Sequence, residues 1–87
     1  MFVVVSRQAL IDSRFSTVVC APVLGQRHGL ATELDVGPEV GLKHPSSVHC
    51  DALVSLAKAS LTDYVGSLPF ARIRDLDEAL RIALAVE

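Results

Sequence analysis

The stretch Ser46-Ser47-Val48-His49-Cys50-Asp51 sets an imidazole and a carboxylate two residues apart inside an extended, β-prone run. Side chains alternate faces along a strand. Read as a strand, the run therefore puts Ser47, His49 and Asp51 on one surface and Val48, Cys50 and Ala52 on the other. One face is then core and the other is available for chemistry. Same-face neighbours lie roughly 6.5–7 Å apart along a strand, a spacing at which an acid and a base can flank one phosphodiester. The same alternation is also what any half-solvated antiparallel strand shows, and an isolated His-x-Asp pair is common by chance. The pair alone leaves both readings open.

Outward from it the chain repeats the β pattern. Residues 2–6 form a continuous apolar run, Phe2-Val3-Val4-Val5-Ser6, the signature of a central strand buried on both faces with a neighbour on each side. Residues 7–15 read as a short helical turn and a polar loop, and residues 17–23 as a second strand with Pro22 near an edge or ending the ladder. Leu24-Gly25-Gln26-Arg27-His28-Gly29 is a loop that either clamps a phosphate through backbone amides and Arg27 or is an ordinary solvated turn. Residues 30–36 alternate apolar and polar, a strand with one wet face carrying Thr32. Residues 37–45 are a loop dense in Gly and Pro, with His44 extended before Pro45.

The Ser46 strand continues to Leu56, residues 58–62 turn, and residues 63–68 form a short strand in which Gly66 marks a bulge or a tight approach. Residues 70–86 carry Ile73, Leu76, Leu80, Ala83 and Leu84 at helical spacing, so a C-terminal helix packs this stripe on the sheet. Five strands with short connections and one helix predict a mainly β protein, a small antiparallel barrel spanning residues 1–87 as a single domain.

At 87 residues the core is thin, and a second chain is a natural way to finish burying it. The net charge of −2 gives no global basic field, so any nucleic-acid site is local. Arg7, Arg14, Arg27, His28 and Lys43 all lie in the first half, a hint that an anion site lies there. Cys20 and Cys50 sit in apolar runs and read as reduced core thiols. Met1-Phe2-Val3-Val4-Val5 is too short for a membrane span and lacks the basic flank of a signal peptide, so a cytoplasmic location is expected. No zinc-type ligand spacing, phosphate-binding loop or nucleophile elbow is present in the sequence.

Taken in order, these pieces resemble the MazF/PemK family of toxins, sequence-specific endoribonucleases that cut single-stranded mRNA and are silenced by a cognate antitoxin. The resemblance runs over essentially the whole chain. It is carried by Val3-Val4-Val5-Ser6, Thr17-Val18-Val19-Cys20-Ala21-Pro22-Val23, Gly29-Leu30-Ala31-Thr32-Glu33, Ser47-Val48-His49-Cys50-Asp51, Leu61-Thr62-Asp63-Tyr64-Val65-Gly66-Ser67-Leu68 and Leu76-Asp77-Glu78-Ala79-Leu80. Their order and spacing are specific where no single piece is.

The resemblance implies a small SH3-like barrel of the CcdB/PemK type with a C-terminal helix, usually a homodimer, that cuts RNA without a metal or other cofactor. Asp51 matches the aspartate that one branch of the family uses as general base on the ribose 2′-hydroxyl. His49 falls where that branch has an arginine acting as acid, and a histidine near neutral pH can also protonate a leaving 5′-oxygen. His49 and Asp51 are therefore the expected catalytic pair, with Arg7, Arg14, Gln26, Arg27, Thr32 and Ser47 as expected RNA-binding residues. Val23 falls about where many members carry a catalytic threonine or serine.

The sequence departs from the family pattern at its start. Members begin with a Gly-Asp-Ile-Trp-like strand and an Arg-Pro pair that supplies a principal catalytic arginine, and Met1-Phe2 stands in that place. The expectation is thus a barrel without that N-terminal strand and motif. Two alternatives share the fold: a non-catalytic remnant that binds antitoxin, and a toxin aimed at gyrase.

Overall fold

In the computed structural model, which describes residues 1–86, the chain runs β1 (Phe2–Val4), a short helix α1 (Gln8–Ile11), β2 (Thr17–Leu24), β3 (Glu33–Val36), β4 (Ser46–His49), β5 (Val54–Ala57) and α2 (Phe70–Leu84). The fold is mainly antiparallel β with a C-terminal helix, as expected. Every strand pairing involves β2 or β4. β2 is rich in β-branched residues, and its Val18, Cys20 and Ala21 are buried, the half-buried pleated setting that such residues suit. Cys20 pairs at once with Val4 of β1 and Val54 of β5, so these two strands lie on opposite edges of β2.

The edge of β2 that carries β5 also carries β4, and the two ladders are out of register. From the pair Cys20↔Val54 to the pair Val23↔Val48, β2 advances three residues while its partner advances six. The surplus is a 3₁₀ turn, Cys50–Ala52. The expected unbroken strand from Ser46 to Leu56 is therefore two strands with a three-residue bulge between them. Bulges re-aim side chains and end local pairing, and here that consequence falls on Asp51.

The sheet order is β1-β2-β4-β3, with β5 also on β2. Among the described residues β1, β3 and β5 each pair on one side only, so the sheet is open rather than closed into the expected barrel. Residues 63–68, expected as a strand, form no ladder. This segment is held instead by a close backbone approach: a Cβ on Gly41 would sit 2.5 Å from the Val65 carbonyl oxygen, and one on Gly66 would collide with the Val40 carbonyl. Gly41 also has φ +93°, a conformation that favours glycine. β1 is an edge strand, not a central one, because among the described residues it pairs with β2 alone. Phe2 and Val4 are exposed, while Val3 and Val5 pack on the core.

That core joins Ala21, Leu34, Val36, Val48 and Cys50 to Leu76 and Ala79 of α2. Val48 is fully buried, worth about 1.5–3 kcal/mol relative to an exposed valine. α2 lies over β3 and the Cys50–Ala52 turn. The buried stripe is narrower than its sequence spacing predicts, since Ile73 and Leu84 are exposed. No helix among the described residues is long and apolar enough to cross a membrane.

The approach of Gly66 to Val40 is a packing constraint that can be tested alone. Gly66→Ala should lower stability by about 1–3 kcal/mol through overpacking, read as a lower urea midpoint with unchanged slope. A midpoint equal to the parent's would show that the two segments are not in contact.

Candidate active site

The turn Cys50–Ala52 places two side chains in opposite directions. Cys50 goes into the core and is fully buried, whereas Asp51 stands exposed on the outside of the turn. Two hydrogen bonds fix the turn to the start of β3. The Cys50 N–H donates to the Thr32 carbonyl at 3.1 Å, and the Thr32 hydroxyl donates to Oδ2 of Asp51 at 2.5 Å. A carboxylate bonded through one oxygen keeps its other oxygen free to accept a proton. Burial pushes the Cys50 thiol up from 9.0, with the Asp51 charge adding to it, and burial does the same to Cys20. Both thiols are free and sit inside the protein as small hydrophobes, as the sequence implied.

His49 is the last residue of β4 and pairs across the sheet with Glu33 of β3. Its side chain is 11 % exposed and Glu33's is 3 % exposed, with Nδ1 lying 3.6 Å from Oε2. On the other side Nε2 is 2.8 Å from the carbonyl oxygen of Gln26. A carbonyl only accepts, so Nε2 carries the hydrogen and donates it. The His28 ring meets His49 edge-on, with centroids 5.9 Å apart.

Glu33 also organises the loop that covers the ring. Its Oε1 accepts backbone N–H groups from His28 at 3.0 Å, Gly29 at 3.0 Å and Leu30 at 3.4 Å. Three amides converge on one oxygen because Gly29 takes φ +75°, turning the chain back on itself. Burial raises the Glu33 carboxyl, but the donated amides of His28, Leu30 and Gly29, together with His49, outweigh it and hold the group below its usual 4.5.

The structure brings together part of the expected site. Thr32 meets Asp51, and His49 meets Gln26 through that residue's backbone carbonyl rather than its side chain, as two separate contacts on either side of Cys50. Thr32 is not on a wet face. It is only 9 % exposed, and its hydroxyl is taken up by Asp51. Ser47 does not share a solvent face with His49 either: it lies between Leu24 and Asp35 in the sheet, is 1 % exposed, and its hydroxyl has no hydrogen-bond partner among the described residues.

Arg27 is at the surface in an exposed ion pair with Asp35 at 2.6 Å. Arg7 and Arg14 flank α1 at the Thr17 end of β2, away from the bulge; Lys58 holds that corner by donating to the carbonyls of Leu10 and Ser13, both at 2.8 Å. Glu33 went unrecognised in the sequence, where it is one polar residue in an alternating run. Its importance comes from the register that sets it opposite His49.

A family model described as PemK-like, MazF-like toxin of type II toxin-antitoxin system matches residues 1–84. No curated protein matches the chain. Among solved structures, the Mycobacterium tuberculosis toxin MazF-mt6 is 28 % identical with a TM-score of 0.92, over 99 % of this chain and 86 % of that one. An endoribonuclease in complex with its cognate antitoxin, from a mycobacterial species, is 27 % identical with a TM-score of 0.88, over 99 % and 81 % of the two chains. A further mycobacterial endoribonuclease is 27 % identical with a TM-score of 0.85, over 98 % and 79 %.

The lowered Glu33 carboxyl makes a signed prediction. A carboxyl depressed on folding contributes stability that is fully present above its unfolded value of 4.5 and is lost as pH falls through the folded value. The stability difference between the parent and Glu33→Gln, from urea melts at several pH values, should be constant above that point and shrink below it. A difference independent of pH would show that Glu33 is not ionised against these amides.

Proposed function

The chain belongs to the PemK-like, MazF-like toxins of type II toxin-antitoxin systems, and on that premise we propose that it is an endoribonuclease that cuts single-stranded mRNA at a short sequence without a metal ion. The observation that carries this reading is the bulge, which sets an exposed carboxylate two residues beyond an imidazole whose two nitrogens both face acceptors. In-line attack at a phosphodiester needs a base on the 2′-hydroxyl and an acid on the departing 5′-oxygen. Asp51, with Oδ2 held by Thr32, takes the 2′-proton on Oδ1. The 2′-oxygen then bonds to phosphorus as the bond to the 5′-oxygen breaks. His49, carrying a hydrogen on both nitrogens with Nδ1 toward Glu33, releases the Gln26 carbonyl, gives its Nε2 proton to the 5′-oxygen and is left as neutral imidazole. The products are a 2′,3′-cyclic phosphate and a free 5′-hydroxyl.

Arg27 is the cation best placed to hold RNA near this pair, exchanging Asp35 for a phosphate. That exchange is inexpensive because exposed ion pairs contribute little. Arg7 and Arg14 would engage only a strand long enough to run the length of β2. We assign the partners as single-stranded RNA, a cognate antitoxin and a second copy of the chain, in the cytoplasm. The naming of two similar structures as endoribonucleases, one of them bound to its antitoxin, supports the RNA and the antitoxin.

Incubation of the purified protein with a long single-stranded RNA in EDTA should give cuts at one short sequence, and Asp51→Asn and His49→Ala should each slow cutting by about 10²–10⁴-fold. Unchanged turnover in both variants would remove them from the chemistry. Absence of any cutting, with tight binding to an antitoxin peptide, would favour the non-catalytic alternative.

A further inference from the structure

We infer that Glu33 is a positioning residue that holds the His49 ring as a proton donor, through one carboxylate shared between the ring and the loop that covers it. The inference rests on the proposed role of His49 as acid. Oε2 of Glu33 faces Nδ1 at 3.6 Å, and Oε1 gathers the N–H groups of His28, Gly29 and Leu30. The same loop supplies the Gln26 carbonyl that accepts from Nε2 at 2.8 Å. One buried anion therefore sets both acceptors of the ring, directly on one nitrogen and through the loop on the other.

A ring with an acceptor on each nitrogen is held with a hydrogen on both, the form that has one to give. Among the described residues, the other titratable groups near it are His28, edge-on in the covering loop, and Asp51 in the adjoining turn, whose Oδ2 is already engaged by Thr32. Neither faces Nδ1 as Glu33 does. The arrangement is built from above and below: β3 fixes Glu33 opposite His49 in the ladder, and the Thr32 carbonyl holds the turn that begins after His49. Moving Glu33 would disturb the imidazole while leaving the Thr32–Asp51 contact in place.

The test compares the parent, Glu33→Gln and Glu33→Asp in RNA cleavage against pH, with ¹⁵N NMR of the histidine rings. Removing the charge should move the alkaline limb of the pH–rate profile to lower pH and shift the His49 ring titration with it. KM should stay near the parent's, and Glu33→Asp should recover part of the shift. A Glu33→Gln protein with the parent's alkaline limb and ring titration overturns the proposal, whatever its rate. If Glu33→Gln does not fold, the parent itself decides. The amide signals of His28 and Gly29 should move with the same midpoint as the His49 ring, and separate midpoints overturn the proposal. If His49→Ala cleaves normally, the proposed chemistry fails, yet the ring and amide titrations still report on Glu33.

Discussion

One edge of β2 carries two partner ladders that differ in register by three residues, and the site is the consequence of that mismatch. A strand that paired continuously from Ser46 to Ala57 would leave Asp51 in the sheet, with its direction fixed by the pleat. The 3₁₀ turn instead buries Cys50, frees Asp51 and lets the backbone of the turn bond to Thr32. The core residue Val48 sits two positions before Cys50, so the two buried side chains grip the chain on either side of His49. The position of the imidazole is thereby tied to the packing of α2 against the sheet.

The second constraint is electrostatic. A carboxylate as enclosed as that of Glu33 is costly unless its oxygens are satisfied, and here backbone amides of the loop donate to them while the His49 ring lies beside Oε2. The loop gains a fixed shape from the same contacts that make the carboxylate tolerable. Charged hydrogen bonds to backbone N–H groups are stronger than neutral ones, which suits a loop that crosses the surface without a strand to hold it. The Ser47 hydroxyl, opposite Asp35 in the ladder and without a hydrogen-bond partner among the described residues, stands out against this economy of partners.

Much of this was legible in the chain. The apolar runs at residues 2–6 and 17–23 and the helical stripe from Phe70 placed the main elements, because periodicity and β-branching report local structure directly. The reading of His49 and Asp51 as same-face neighbours on one strand rests on alternation, and the turn that follows His49 removes that alternation before Asp51. Where the reading failed, the missing information was non-local. Residues 63–68 look like a strand, yet Gly66 meets Val40 across a loop contact that no local pattern encodes. Ser47 alternates correctly but is buried in the sheet between Leu24 and Asp35, partners distant in sequence. Glu33 acquires its role only from the cross-strand register, and a single sequence does not state register.

The chemistry assigned to Asp51 requires a 2′-hydroxyl at the cut, and this is the point on which the account stands most directly. The decisive measurement uses an RNA containing the preferred cut sequence, made once with ribose throughout and once with a single 2′-deoxynucleotide on the 5′ side of the scissile bond. The account predicts that the all-ribose strand is cut to a cyclic phosphate and a 5′-hydroxyl, and that the deoxy-substituted strand is bound but left whole. Cutting of the deoxy strand at the same position would mean that water or another nucleophile attacks phosphorus, and would contradict the role given to Asp51.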